Sequence, residues 1–541
     1  MYDHRGHDPE TPIDIFVIGG GINGCGLARD AAGRGLAVTL AEMNDIGWAT
    51  SSASTKLFHG GLRYLEFFEF KLVRESLKER ETLLKMMPHI SWPMRFVLPY
   101  HKDMRFESET PTSRLLGWIM PWKKGARPAW LIRFGLFLYD SLAFRFEKRI
   151  LPGTTSVDLS TAPEGAPLRP KFAKAFEYSD CWVEDSRLVA LNARDAYERG
   201  ATIWTRTQVV SVERLEKCWA VTCRHVETGE ERTVYAGLLV NAAGPWVADV
   251  LSGVVRLNTS ESVRLVRGSH IITKRLYDHD KCYFFQGEDG RIIFAIPYET
   301  DFTLIGTTDQ EHTDPDTPPV CTPEENAYLR AFAAKYFETE IAEEDVVHTY
   351  SGVRPLYDDG AKSATAATRE YVLSLDEPEG QAPLLSIFGG KITTYRSLAE
   401  HAIDKVRHLL INPKGFWTDR YPLPGGDFPV TGVEDLIAEL RKAHPFLTER
   451  WAKRLVKAYG TDAAKMLEDR ERIEDMGELF GATLTELEVR WLVTHEFATK
   501  AEDILWRRSK LGLHMTAQEV AEFTAWFDKA MRTPAWHKPE A

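Results

Sequence analysis

The stretch DIFVIGGGINGCGLARDAAGRGLAVTLAE, residues 14–42, reads as a complete βαβ unit and decides the fold. The branched apolar run at 15–18 has the length and composition of a buried parallel strand, and it leads directly into Gly19-x-Gly21-x-x-Gly24. Gly19 permits a tight turn, Gly21 lets the backbone close on a pyrophosphate, and Gly24 lets the next helix pack against the strand. That helix offers free N–H groups and the positive end of its dipole to phosphates. It stops at Gly33 and Gly35, and a strand at 37–41 delivers Glu42. A carboxylate there accepts hydrogen bonds from a ribose 2′-hydroxyl and repels a 2′-phosphate. Glycine-rich turns are common, so the weight rests on the flanking strand, the helix and the acid at the right distance.

A chain of 541 residues with 44% hydrophobic content can bury ample core and is expected to split into two or three domains. Its net charge of -12 argues against general nucleic-acid binding. No apolar run is long enough to span a bilayer and the start lacks a signal-peptide core, so the expected location is cytoplasmic. The cysteines at 25, 181, 218, 223, 282 and 321 show no metal-ligand spacing; free buried thiols and no metal site are expected.

Further along, residues 49–66, ATSSASTKLFHGGLRYLE, are rich in hydroxyls, then glycine, then aromatics. Ser51, Ser52, Ser54 and Thr55 suit either a helix cap or hydrogen bonds to a pyrophosphate or ring edge. The run HGGLRY, with His59 and Gly61, lets backbone approach something flat and puts Arg63 and Tyr64 beside it. An amphipathic helix is expected at 70–87, and another at 187–198 with Asp185 and Ser186 as N-caps. Strands are expected at 202–212, 219–224 and 233–241; the last ends in LVNAAGPWV, which brings Gly244 to the carboxyl edge of a doubly wound sheet, where cofactors sit. Residues 260–350 alternate with period two and predict a second, largely antiparallel sheet roofing a cofactor. The run FGGKITT is a strand end, a Gly389-Gly390-Lys391 turn and a helix opening at Thr393 and Thr394, a second helix N-terminus offered to a ligand. The tail is helical, with capping boxes expected at Thr483-x-x-Glu486 and Thr516-x-x-Glu519. The fingerprint alone does not choose between NAD and FAD; the LVNAAGPWV strand and the FGGKITT turn favour a long cofactor reaching a second domain.

The segments GGGINGCG, TSSASTKLFHGGLRYLE, RGSHIIT, IGTTD, YSGVRPL, TREY and FGGKITTYR occur in this order, and together they resemble the aerobic, FAD-dependent glycerol-3-phosphate dehydrogenases of bacteria, which are similar to the mitochondrial enzyme. The resemblance covers nearly the whole chain, although the segment near 103–124 is longer than usual for the bacterial enzymes. It implies an α/β protein of the D-amino-acid-oxidase-like type. A Rossmann-like FAD-binding domain takes 1–100, 171–259 and 345–411, and a mixed or antiparallel-sheet substrate domain takes 260–344. A basic aromatic insertion with a membrane contact takes 101–170, and an α-helical C-terminal domain takes 412–541. The implied reaction is oxidation of sn-glycerol 3-phosphate to dihydroxyacetone phosphate, by hydride transfer from C2 to flavin N5, with electrons passed to a membrane quinone. A second copy of the chain, as a homodimer, is a further expected partner. The expected FAD contacts are Gly19, Gly21, Gly24, Glu42, Ser51, Ser52, His59, Gly61, Gly244, Gly390 and Thr393. By the resemblance, Arg63, Tyr64, His270, Arg354, Arg369 and Lys391 line the substrate pocket.

The chemistry of the residues is compatible. A phosphate monoester needs two or three cations in fixed geometry, and arginine binds it bidentately. Arg354 stands beside Gly352 and Pro355, Arg369 at a strand start and Lys391 after a Gly-Gly turn, all on stiff or tight backbone. Any single arginine is more often a surface ion pair. His270 is the candidate base for the hydroxyl proton, His59 the rival and a lysine of depressed pKa at 391 the third choice; Arg354 and Lys391 also act electrostatically on the reduced ring. Alternatives are a glycerol-3-phosphate oxidase using oxygen, an amine or D-amino-acid oxidase, for which the cations are excessive, and a non-catalytic redox-sensing flavoprotein that recruits a partner through its helical tail.

Residues 101–134 carry seven Lys or Arg against three acids, interleaved with Leu115, Leu116, Trp118, Ile119, Met120 and Trp122. Cations for anionic headgroups and rings for the acyl boundary are what an interfacial segment requires. Peripheral attachment to the cytoplasmic face of the inner membrane through about 112–139 is expected; the other reading of 131–144 is an apolar helix packed into the core.

Overall fold

The computed structural model describes residues 6–101, 112, 128–143, 150–257, 261–287, 291–358, 370–533 and 536. Its strand Ile13–Ile18 is covered on both faces from Ile15 onward, which is why residues 15–18 read as an unbroken apolar run. Val38–Ala41 and Glu231–Asn241 flank it in parallel, with Ile15 beside both Val38 and Leu238. Leu384–Phe388 and Thr202–Trp204 extend the parallel sheet on either side, and antiparallel Val372–Asp376 closes one edge. The helix Ile22–Gly33 packs against Asp185–Glu198 and Tyr395–Lys405, enclosing a core that includes Val17, Leu27, Leu191 and Leu398.

Two local expectations change here. The single strand at 202–212 is two strands, Thr202–Trp204 and Thr207–Arg214, separated at Arg206, whose φ is 51°. Asp185 and Ser186 do not cap a helix but lie within it, because their side chains are committed elsewhere: Asp185 to Ser54 and Lys56, Ser186 to the carbonyl of Arg507.

The alternating segment forms the second sheet. Val263–Lys274 pairs antiparallel with both Phe302–Gly306 and Val346–Tyr357, and Ile292–Tyr298 and Cys282–Gln286 continue it. Ser91–Tyr100 and Lys174–Val183 join this sheet too, so they and Val346–Tyr357 depart from the expected grouping with the nucleotide-binding strands. Alternation marks a strand but not its partner. Here Phe96 stacks on Tyr178 and meets Phe294 edge-on, and this packing selects the sheet.

The C-terminal helices, among them Glu449–Tyr459, Glu486–Glu496 and Ala517–Ala530, close on their own core around Trp451, Leu455, Leu492 and Phe523. The Thr516–Glu519 capping box forms. The Thr483–Glu486 box does not: Thr483, at φ 73°, is bound to Arg454, and Thr485 caps the helix through the N–H of Glu488.

Of the basic aromatic segment, the helix Ala129–Ala143 is described, while Leu115, Leu116, Trp118, Ile119, Met120 and Trp122 lie outside the described residues. Leu136 and Tyr139 face inward, but Trp130, Phe134 and Phe137 are 55%, 52% and 62% exposed, so the helix is not packed wholly into the core. The Tyr139 hydroxyl accepts from the Gly60 N–H and donates to Asp180, each at 2.7 Å, which ties this surface helix to the HGG turn. No described helix is long and apolar enough to cross a membrane.

Candidate active site

A cavity of about 650 Å³ is lined from both sheets and runs from Glu42 past Gly21 to Gly390 and His270. The glycine turn divides its tasks as the sequence suggests. Gly19 has φ +106°, and a Cβ on it would lie 2.6 Å from the Ala242 carbonyl oxygen; a Cβ on Gly24 would lie 2.0 Å from the Gly19 oxygen. A Cβ on Gly21 meets only Ser51 Oγ, at 3.2 Å, and otherwise enters the cavity. Packing within the chain therefore demands Gly19 and Gly24, whereas at Gly21 the chain itself leaves room for a side chain.

Glu42 accepts the Gly20 N–H at 2.7 Å and the Asn44 N–H at 2.8 Å. Burial pushes its carboxyl pKa up, and these two hydrogen bonds oppose the shift. Ser51 Oγ accepts the Ile22 N–H at 3.0 Å, so it holds the start of the helix Ile22–Gly33. Ser52, expected at the cofactor, is not in the cavity wall: the turn Thr50–Ser52 directs its hydroxyl back to the carbonyls of Trp48 and Ala49. Asn23, not singled out from the sequence, joins the two helix openings by donating to the Gly389 carbonyl at 3.0 Å, and its buried Oδ1 has no partner among the described residues. His59, Gly61, Gly244, Gly390 and Thr393 all face the cavity. An acid for the ribose, a helix N-terminus for the pyrophosphate and a long apolar wall beyond suit an extended FAD.

The cationic end is built from distant parts of the chain. Arg354 Nη2 donates to the Thr308 carbonyl at 3.1 Å and is paired with Asp309. Lys391 Nζ lies 4.2 Å from the centre of the Tyr64 ring, buried and without a hydrogen-bond partner among the described residues. The Arg63 side chain and the whole of Arg369 lie outside the described residues. His270, 2% exposed, stacks on Tyr350 at 4.6 Å and shares Nε2 with Thr55 Oγ1 at 3.0 Å. Its Nδ1 has no partner among the described residues. Burial first, then the charges of Lys56 and Arg354, lower its pKa to about 3, so the ring is neutral at neutral pH. Asp309 and Tyr350 sit inside the motifs IGTTD and YSGVRPL, yet only the folded chain reveals what they touch: Asp309 pairs with Arg354, and Tyr350 lies opposite His270 across the strand pair.

Residues 14–396 match the family described as FAD dependent oxidoreductase, and residues 416–538 match the C-terminal domain of alpha-glycerophosphate oxidase. The chain is 48% identical over 523 residues to D-erythritol 1-phosphate dehydrogenase of Brucella abortus, covering 97% of this chain and 99% of that one. It is 43% identical over 515 residues to the aerobic glycerol-3-phosphate dehydrogenase of Escherichia coli, covering 95% and 97%. Among solved structures, the glycerol-3-phosphate dehydrogenase from Bacillus halodurans complexed with FAD superposes with a TM-score of 0.68 at 25% identity, covering 97% of this chain and 95% of that one. With a family match over most of its length and a cavity whose turn, acid and second helix opening suit the cofactor, the chain belongs to the FAD dependent oxidoreductases, as an enzyme that works with FAD.

Proposed function

We propose that this enzyme oxidises sn-glycerol 3-phosphate to dihydroxyacetone phosphate and passes the electrons to a membrane quinone. The observation that carries this reading is the convergence of Arg354 and Lys391 on the cavity that also holds His270. Two fixed cations suit a phosphate monoester, and a neutral imidazole can take the proton of the adjacent hydroxyl. FAD, when bound, would supply the two-electron acceptor for the hydride of C2, at its N5. With one ring nitrogen of His270 on Thr55 and the other without a partner among the described residues, the ring has capacity for a substrate hydroxyl. By the resemblance, Arg63 and Arg369, whose side chains lie outside the described residues, are the further cations this reading assigns to the phosphate. Anaerobic addition of sn-glycerol 3-phosphate should bleach the yellow protein. Peroxide formed at the turnover rate on admitting air would favour the oxidase instead, and an unchanged spectrum the non-catalytic sensor.

A second substrate, D-erythritol 1-phosphate, is favoured by the 48% identity to an enzyme of that name. It has the same phosphate-bearing polyol chemistry with one more carbon. The ratio of kcat/KM for the two phosphates decides between them.

The membrane half of the proposal rests on the exposed ridge Trp130, Phe134 and Phe137, with Arg133 also exposed on that helix. We infer peripheral attachment to the cytoplasmic face of the inner membrane through this helix and the aromatic segment before it. Anionic vesicles should sediment the protein, and Ser at 130, 134 and 137 should release it while dye-linked activity remains; equal sedimentation of variant and parent excludes this ridge as the anchor.

A further inference from the structure

The ribose-facing loop that follows Glu42 is gripped from behind by the C-terminal domain. Asp45, 1% exposed, accepts Arg507 Nε at 2.5 Å and both terminal nitrogens of Arg508 at 2.8 Å. The two arginines stand more than four hundred residues later, in the turn Asp503–Arg508 of the C-terminal domain. That turn also holds Asp503, which is paired with Arg507 and, at 2.7 Å, with Arg206. Arg206 in turn donates its backbone N–H to the Asn44 carbonyl at 2.9 Å, and Thr207 donates to the Glu42 carbonyl at 2.8 Å. The loop is thus fixed on its inner side by Asp45 and along its edge by residues 206 and 207, while Glu42, Met43, Asn44 and Gly47 present their other side to the cavity. Burial foremost, and the Asp45 charge as a smaller addition, push Glu42 toward its neutral form, and the Arg206 guanidinium opposes that push. Such an alternating buried cluster resists opening, because separating any one pair leaves an uncompensated charge out of water.

We propose that the C-terminal domain is a retention clamp for the adenosine end of FAD, acting through Asp45, Arg507 and Arg508. Release of the cofactor requires the 42–47 loop to swing away from the glycine turn, to which it is also bonded by Gly47 N–H on the Gly20 carbonyl at 2.9 Å. That motion cannot occur while both Arg507 and Arg508 hold Asp45. The residues of the clamp do not touch the reacting atoms; they position the loop that does the binding.

The test uses full-length holoprotein and the variants Asp45→Asn and Arg508→Lys. FAD release on dilution is followed by the return of free-flavin fluorescence, and melting is measured for apo and FAD-loaded protein. The clamp predicts release about ten-fold faster or more, the equivalent of one lost charged hydrogen bond. It also predicts that the increment in Tm conferred by FAD shrinks more than the Tm of the apoprotein falls. Release at the parent rate overturns the proposal, as does a fall in apo Tm that accounts for the whole change in holo Tm. If either variant fails to fold, Arg507→Gln, which leaves the two-point Arg508–Asp45 pair in place, is judged by the same two outcomes.

Discussion

The ammonium of Lys391 rests 4.2 Å above the Tyr64 ring with no hydrogen-bond partner among the described residues. The ring face offsets part of the cost of burying that charge, but an ammonium without acceptors awaits an anion. Lys391→Met should therefore raise the substrate KM by about 10- to 100-fold, matching roughly 1.5–3 kcal/mol for a charge-assisted hydrogen bond. Thermal stability should hold or rise, since a costly buried charge is removed. Dye-linked kinetics with parent KM would remove Lys391 from the site.

Arg354 is oriented before any substrate arrives, through Asp309 and the Thr308 carbonyl. Arg354→Ala should raise KM sharply, with a cost of about 1.5–3 kcal/mol. Asp309→Asn keeps the guanidinium but loosens its aim, so the same kinetics should show a smaller rise. A larger effect from Asp309 than from Arg354 would mean that Asp309 meets the substrate itself.

Gly21 and Gly24 should fail in different ways. A side chain at 21 projects into the cavity, so Gly21→Val should keep the far-UV circular dichroism of the parent and lose flavin absorbance. At 24 the collision is with the Gly19 carbonyl, and Gly24→Val should lower the apoprotein Tm as well. Full flavin content in Gly21→Val is incompatible with the cavity assignment.

Stability should decline as pH falls below about 6.5, the ordinary histidine value in an unfolded chain. His270 and His89 are both buried, and burial lowers each to about 3. Between those values the unfolded chain binds protons that the native state does not, so stabilisation present above 6.5 is lost progressively toward 3. His89→Leu, outside the cavity, should flatten the dependence of the urea midpoint on pH between 7 and 5. An identical slope in the variant would assign the acid sensitivity to other groups.

How far the sequence reaches is clear from particular residues. Residues 14–42 specify their own structure because strand, turn and helix are made by neighbours in the chain, and Gly24 and Glu42 act within that unit. The same holds for the Thr516 capping box, whose two partners are three residues apart. The sequence also placed Arg354, Lys391 and His270 among the candidates, by chemistry and by resemblance. What tertiary structure alone decided was commitment. Asp185 carries the composition of a cap but is claimed by Lys56, Ser52 turns away from the cavity, and Ser91–Tyr100 joins the second sheet. Asp45 finds its arginines at the far end of the chain. In each case a polar group or a strand edge has several chemically equal partners, and which one it takes depends on the burial of everything around it, a sum over distant residues that local pattern does not contain.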